Sequence, residues 1–484
     1  MHTKVHSPPR CTGRPPGTHS LMFTLQAHSP TPLVTQIVEG FRRLIGEGSL
    51  RVGARLPSVR QFAGAHEVSV FTVVEAYDRL VAQGWLVSRP NQGFFVRNRP
   101  QAQAQAQEAA VAASGFDALW YLRKIFENRN LALKPGCGWL PHEWLFNEGL
   151  KRALRQIAAA DVDLAGYGHP KGYQELRHLI AEQLTEREIA APPEQVLLTQ
   201  GSSQALDLAA RRLVRTGDPV LVDEPGYANT MFGLRLAGAR LIGVPRTPTG
   251  WDLALLEARI AEHRPRVFFT QPRLQCPTGS TATLAQLHRV LQLAEQHDIT
   301  IVENDIYADI DPEPRASLAG LDQLHRVIHI GSFSKTISPN IRVGFLTAHP
   351  EIIEELGQLK MVAGLTSSEL NERLAFGALT DSRWRRHLKS LRERLGEAQQ
   401  RVSERLIDLG FELFTEPRAG IYLWARHPDI ADSATVASRA ADSGIMLGPG
   451  HLFMPDLRES GWLRFNVAFC DDERIFALFE PHRG

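Results

Sequence analysis

Cysteine is nearly absent from this 484-residue chain: Cys11, Cys137, Cys276 and Cys470 are the only four, and they stand far apart. No pair has the spacing of a metal knuckle, which leaves no basis for a zinc module. A disulfide scaffold is equally unsupported, so reduced thiols in a cytosolic protein are expected. Lysine is scarce too, supplying only eight of the 54 basic residues. No apolar run approaches the roughly eighteen residues of a membrane span, and the N-terminus lacks the continuous apolar core of a signal peptide. Strong net charge is also missing: the formal value is +1, which excludes a polycation that coats nucleic acid over its whole surface.

What is present is the composition of an ordinary soluble protein, 43% hydrophobic and 22% charged. The length exceeds one core and predicts two or three domains. Residues 1–30 read as an extension, disordered over 1–21, with Met22 as the expected start because the amphipathic text begins just after it. Charge is concentrated locally: His28 to Pro100 holds nine Arg against five acids. Within it PLVTQIVEGFRRLIGEG (32–48) has helical apolar spacing at Leu33, Ile37, Phe41, Leu44 and Ile45. Ser58 is placed to cap a short second helix, and Ser69 a third that runs to Gly84. WLVS (85–88) and GFFVRN (93–98) around a Pro-Asn-Gln-Gly turn predict a hairpin. Three helices and a hairpin in that order predict a winged helix-turn-helix over 31–99.

A Gln/Ala-rich run (RPQAQAQAQEAAVAASG, 99–115) has no apolar face and predicts a linker, placed at 100–116. Beyond it, β-rich runs at 196–200, 220–224, 239–245, 266–271, 299–305, 326–333 and 342–348 alternate with helical segments. That alternation predicts an α/β domain over 117–484 with a mostly parallel sheet. Its large lobe is expected at about 165–350, and a smaller α+β lobe at about 120–160 and 360–484.

The chemistry concentrates in GSFSKTISPNIR (331–342). Lys335 follows a predicted strand, between Ser332 and Ser334 on one side and Arg342 on the other. A lysine so placed can form a Schiff base, while the serines and the arginine can hold a phosphate. GSSQAL (201–206) is a second anion cup, with Gly201, Ser202 and Ser203 at a helix N-terminus. Tyr227 follows a strand and turn and can stack on a flat ring. Arg464 lies in an apolar strand and needs an anion, either a ligand carboxylate or an internal acid.

This constellation resembles the fold-type I aminotransferases, and with residues 31–99 ahead of it the chain resembles the MocR subfamily of GntR regulators. The motifs are GARLPSVRQFA and VSVFTVVEAYDRLVAQGWLVSRPNQGFFV in front. YGHPKGYQELR (167–177), QGSSQAL, DEPGY, QCPTG (275–279), ENDIY (303–307), GSFSK and LRF follow in order. The resemblance implies pyridoxal 5'-phosphate on Lys335, with Arg342 as phosphate ligand, Tyr227 as ring stack and Tyr307 as phenol-oxygen partner. It also implies Arg464 as the α-carboxylate anchor, and Tyr167 reaching the cofactor of a second subunit in a homodimer. The implied function is a cytoplasmic regulator that binds operator DNA and senses pyridoxal phosphate or an amino compound; the alternative is a working aminotransferase with an accessory DNA-binding domain.

Three positions depart from the family pattern. Cys276 stands where an Asn usually meets the phenol oxygen, and a thiol is a much weaker donor. Three residues before Tyr307, where the family's ring-nitrogen Asp is expected, stands Asn304. Asp305 can replace it only if the strand end twists, because neighbours on a strand face opposite sides. In the recognition helix, Val70 stands where an Arg is usual. Phe71 and Thr72 remain after the Ser69 cap, with Phe71 suited to a thymine methyl. Arg60, Arg89, Asn91 and Gln92 are placed for phosphates or the minor groove.

Overall fold

The computed structural model describes residues 23–26, 31–46, 49–89, 93–97, 132–163, 165–416 and 419–480. The expectations for 1–21 and Met22, for the linker, and for the wing tip at Asn91 and Gln92 lie outside the described residues. The chain divides into two compact units, Met1–Gly115 and Phe116–Gly484.

The first unit is a winged helix. Helices α1 (Leu33–Gly46), α2 (Val59–Ala65) and α3 (Val70–Ala82) precede an antiparallel hairpin of β1 (Leu86–Arg89) and β2 (Gly93–Val96). Ser58 accepts from the Gln61 amide and Gln61 Oε1 accepts from the Ser58 amide, closing a reciprocal cap on α2. The predicted helical stripe of α1 buries Ile37 and Phe41 against Phe62, Val73, Tyr77 and Leu80. Phe41 meets Phe62 at 5.2 Å and Tyr77 edge-on at 5.6 Å between ring centroids.

The second unit runs α4 (Asn147–Ala159), α5 (Gln174–Thr185), β3 (Val196–Thr199), α6 (Gly201–Leu213), β4 (Pro219–Glu224), α7 (Ala228–Leu236), β5 (Arg240–Thr247), β6 (Gly250–Trp251) and α8 (Leu253–His263). There follow β7 (Val267–Thr270), α9 (Leu284–Gln296), β8 (Thr300–Asn304), α10 (Leu318–Asp322), β9 (Val327–Ser332), β10 (Gly344–Thr347), α11 (Pro350–Gly364) and α12 (Glu369–Leu379). The rest comprises α13 (Trp384–Asp408), β11 (Glu412–Leu413), β12 (Tyr422–Arg426), α14 (Ser433–Asp442), β13 (Gly448–Pro449), β14 (Trp462–Asn466) and α15 (Glu473–Phe476).

Eight strands form one sheet in the order β3-β10-β9-β8-β7-β4-β5-β6. Pairing is parallel from β9 through β8, β7 and β4 to β5, while β10 and β6 pair antiparallel with their neighbours. The predicted strands of this sheet are all present, with ends that differ from expectation by one or two residues. Their near-continuous apolar text reflects burial on both faces. One face packs Leu206, Met231, Val302 and Ile330, the other Ile180, Leu256, Phe268 and Ile301. A second, antiparallel sheet, β11-β12-β14-β13, packs on α13 and on Leu140 and Leu145. Its short strand β13 had no readable pattern.

The Phe62 side chain is buried at the centre of the winged helix, so Phe62→Ala should cost about 3–5 kcal/mol. Hydrogen exchange should show amide protection falling in α1 and α3 while β7 and β8 keep theirs.

Candidate functional site

The ends of β4, β8 and β9, the start of α6 and one edge of the second sheet surround a cavity of about 590 Å³. Such crevices at strand C-termini are where open α/β sheets bind ligands. Lys335 lies three residues beyond β9 and lines this cavity. Its Nζ donates to the Gly138 carbonyl. Burial disfavours the ammonium and brings the Lys335 pKa down to about 8; the nearby Cys276 and Cys137 partly offset this, and Arg464 and Arg342 add to it.

One end of the cavity is built from two chain segments. α6 starts at Gly201 with Ser202 and Ser203 on the cavity wall, its first amides free for an anion. Opposite, Ser332 Oγ donates to Ser334 Oγ at 3.1 Å, and Arg342 closes the side. The Arg342 guanidinium is steadied by the Gln200 carbonyl at 3.2 Å, from a backbone held at φ +52°. Gly201 has φ +73°, and a Cβ there would lie 2.6 Å from Arg342 Nη2. Glycine is therefore required for the helix start and the guanidinium to share this corner. Gly201 shapes the cup without lining the cavity.

Tyr227 precedes the first turn of α7 and forms an aromatic wall, its hydroxyl accepting from Asn229 Nδ2 at 3.2 Å. Tyr307 follows β8 and donates to the Tyr422 hydroxyl at 3.2 Å. Burial pushes both phenols well above their ordinary range, so both stay protonated donors. Arg464, on β14, stands 4.6 Å from the ring centres of both Tyr422 and Phe453 and donates to the Gly136 carbonyl. Tyr422 was missed by sequence reading. It lies on β12, where Trp424 pairs with Arg464, so only the strand register reveals that the two side chains meet.

The three departing positions have different surroundings. Cys276 is buried and receives a hydrogen bond from Arg464 at 3.2 Å, and it does not line the cavity. The side chains of strand β8 alternate through to its end. Val302 and Asn304 point to the α6 and α7 side, while Glu303 faces the opposite side. There Glu303 accepts the Leu318 and Ala319 amides at the start of α10 and stands 3.2 Å from His329 Nδ1. Asp305 follows the same alternation and sits 3.1 Å from Arg273. Tyr167 is 82% exposed and does not line the cavity of its own chain.

In the winged helix, Ser69 Oγ accepts the Thr72 amide at 3.0 Å and lies 2.7 Å from the Thr72 hydroxyl. The cap and Thr72 are thus engaged with each other. What the start of α3 offers outward is apolar: Val70, Phe71 and Val74 are exposed, Phe71 to 76%. Arg60 is exposed on α2, and the Arg89 guanidinium stacks 4.8 Å above the Phe95 ring. Among the described residues, no group of acids, histidines and cysteines is arranged for a metal ion.

Comparison with known proteins agrees with both units. The model described as aminotransferase class I and II matches residues 142–480, and that of bacterial regulatory proteins, gntR family, matches 33–96. The probable rhizopine catabolism regulatory protein MocR of Rhizobium meliloti is 31% identical over 78% of this chain and 78% of that protein. The HTH-type transcriptional regulator YisV of Bacillus subtilis, itself uncharacterized, is 26% identical over 92% of this chain and 94% of its own. Among solved structures, the α-aminoadipate aminotransferase LysN of Thermus thermophilus, complexed with N-(5'-phosphopyridoxyl)-L-leucine, superposes with a TM-score of 0.68. It is 30% identical and covers 74% of this chain and 92% of that one.

With its pKa near 8, Lys335 should be about one-quarter neutral at pH 7.5, against about one part in a thousand for an ordinary lysine. Capture of an aldehyde at this amine should therefore rise with pH through about 8 and flatten above it. Stopped-flow absorbance from pH 6.5 to 10 measures this; a rate still climbing at pH 10 would contradict the buried environment.

Proposed function

Because the chain belongs to the aminotransferase class I and II family and carries a gntR-family module ahead of it, in the MocR arrangement, we propose that it is a transcriptional regulator whose aminotransferase-like unit captures pyridoxal phosphate through Lys335. The observation that carries this reading is one cavity in which a depressed lysine, an open helix N-terminus and Arg342 converge, in a chain that also holds a winged helix. The residues fit the cofactor: an amine for its aldehyde, a phosphate cup of Ser202, Ser203, Ser332, Ser334 and Arg342 whose guanidinium occupies the space left open by Gly201, an aromatic wall at Tyr227, and protonated phenols at Tyr307 and Tyr422. Pyridoxal phosphate would supply a reactive carbonyl and an electron-accepting ring.

The output of capture is DNA binding. The effector is an amino compound, with Arg464 positioned for its carboxylate. Such a ligand shifts the regulator only by as much as it prefers one conformation over another. The exposed Tyr167 fits a homodimer in which it meets the cofactor of the other subunit. Double-stranded operator DNA is the macromolecular partner, and a cytoplasmic, nucleoid-associated location follows. No helix of the described residues is long and apolar enough to cross a membrane. The second reading, a working aminotransferase, is favoured by the joint presence of Lys335, Tyr307 and Arg464.

Purified protein mixed with pyridoxal phosphate should develop a visible absorption band that Lys335→Ala abolishes. Binding to its own upstream region should change when cofactor and candidate amines are added, and Lys335→Ala should lose that response while still binding DNA. Absence of DNA binding under every condition would refute the regulatory reading, and rapid ketoacid production across a panel of amino acids would favour the enzyme.

Mobility-shift titrations should further separate two roles at the DNA face. Phe71→Asp should weaken binding at least ten-fold, about 1.4 kcal/mol, by replacing an exposed apolar reader with an anion. Arg60→Ala should lower affinity on all sequences and reduce the salt slope by about one.

A further inference from the structure

Strand β8 ends on Asn304, whose side chain is 4% exposed. Neither its Oδ1 nor its Nδ2 meets a protein partner among the described residues. Leaving a buried amide so costs about 1–3 kcal/mol for each group, and native structures rarely tolerate it without a ligand or water. The amide lines a cavity of about 20 Å³ beside Leu206, Tyr227 and Thr230. Tyr227 is shared with the larger cavity that holds Lys335.

The carboxylates near Asn304 are already taken. Asp223, on the wall of the same small cavity, accepts from Trp251 Nε1 and the Thr270 hydroxyl at 2.8 Å and from the Gln271 amide at 2.9 Å. It also stands 3.7 Å from Arg246. Asp305 lies on the other face of the strand, 3.1 Å from Arg273. In the larger cavity that shares Tyr227, the charged side chains on the wall are Lys335, Arg342 and Arg464, all basic.

We infer that Asn304 is the partner of the cofactor's ring nitrogen, donating its amide N–H to an unprotonated nitrogen, and that the site is thereby built to capture an amine without turning it over. The inference rests on the reading of the Lys335 cavity as the pyridoxal phosphate pocket. A carboxylate at this position would stabilise a protonated ring by its charge. A carboxamide offers a donor and an acceptor but no charge, and no unpaired anion beside it makes up the difference. Pyridoxal phosphate withdraws electrons from bonds at an attached amine's carbon most strongly when its ring nitrogen is protonated. Asn304 holds the ring in place while withholding that proton.

The test is nitrogen-15 NMR of full-length protein loaded with pyridoxal phosphate labelled at the ring nitrogen, referenced to the free cofactor in its protonated and unprotonated forms. The wild-type resonance should fall in the unprotonated range. Asn304→Asp should move it to the protonated range and speed single-turnover conversion of an amino acid at least ten-fold. Asn304→Ala should leave it unprotonated and release the cofactor several-fold faster. A protonated wild-type ring overturns the inference even if no variant folds, as does a resonance indifferent to Asn304→Asp or a release rate indifferent to Asn304→Ala. Failure of the wild type to take up cofactor at all would sink the reading of the cavity with it.

Discussion

A strand can send consecutive side chains only to opposite faces, and the candidate site depends on that constraint at the end of β8. Val302 and Asn304 go to the side of α6 and Tyr227; Glu303 and Asp305 go to the other. On that other side each acid has a structural task. Glu303 binds the first amides of α10 and meets His329, an arrangement that keeps its carboxyl below the usual range despite burial. Asp305, driven up by burial, is held against Arg273. Moving either acid toward Tyr227 would require a one-residue slip of β8, which would also turn Ile301 and Val302 onto the wrong faces of the sheet.

The anion cup shows a second constraint of the same kind. Gly201 and Gly344 bring α6 and β10 into backbone contact: a Cβ at Gly344 would lie 2.8–2.9 Å from Gly201 backbone atoms. Arg342, in a left-handed conformation two residues before Gly344, fills the gap that the missing Cβ of Gly201 leaves. Three residue choices that look independent along the chain are therefore one packing solution. The result is a preorganised cation beside a helix N-terminus, which favours an anion before any anion arrives.

Much of this was legible in the sequence because local rules govern it. Ser58 and Ser69 cap the helices they precede, and the β-rich runs are strands within a residue or two. The order of motifs points to the aminotransferase fold behind a winged helix. What sequence reading could not supply depends on register and on three-dimensional neighbours. Which sides Asn304 and Asp305 face depends on the path of β8. Tyr422 needed the pairing of β12 with β14. Spacing alone does not show that the Cys276 thiol accepts from Arg464, which comes from a strand far along the chain. The engagement of Thr72 with Ser69 likewise follows from one cap geometry that spacing alone does not specify.

That last detail has a consequence for the protein away from DNA. With Ser69 and Thr72 occupied by each other, the leading edge of α3 presents Val70, Phe71 and Val74 to water. Exposed apolar side chains at one helix start are a colloidal liability. Any duplex that covers it, whatever its sequence, shields that surface and adds binding free energy to the folded state by mass action. If this face is the one that meets DNA, as proposed, nucleic acid also acts as a solubilising partner, and long-term storage of the purified chain should be easier in its presence than in plain buffer.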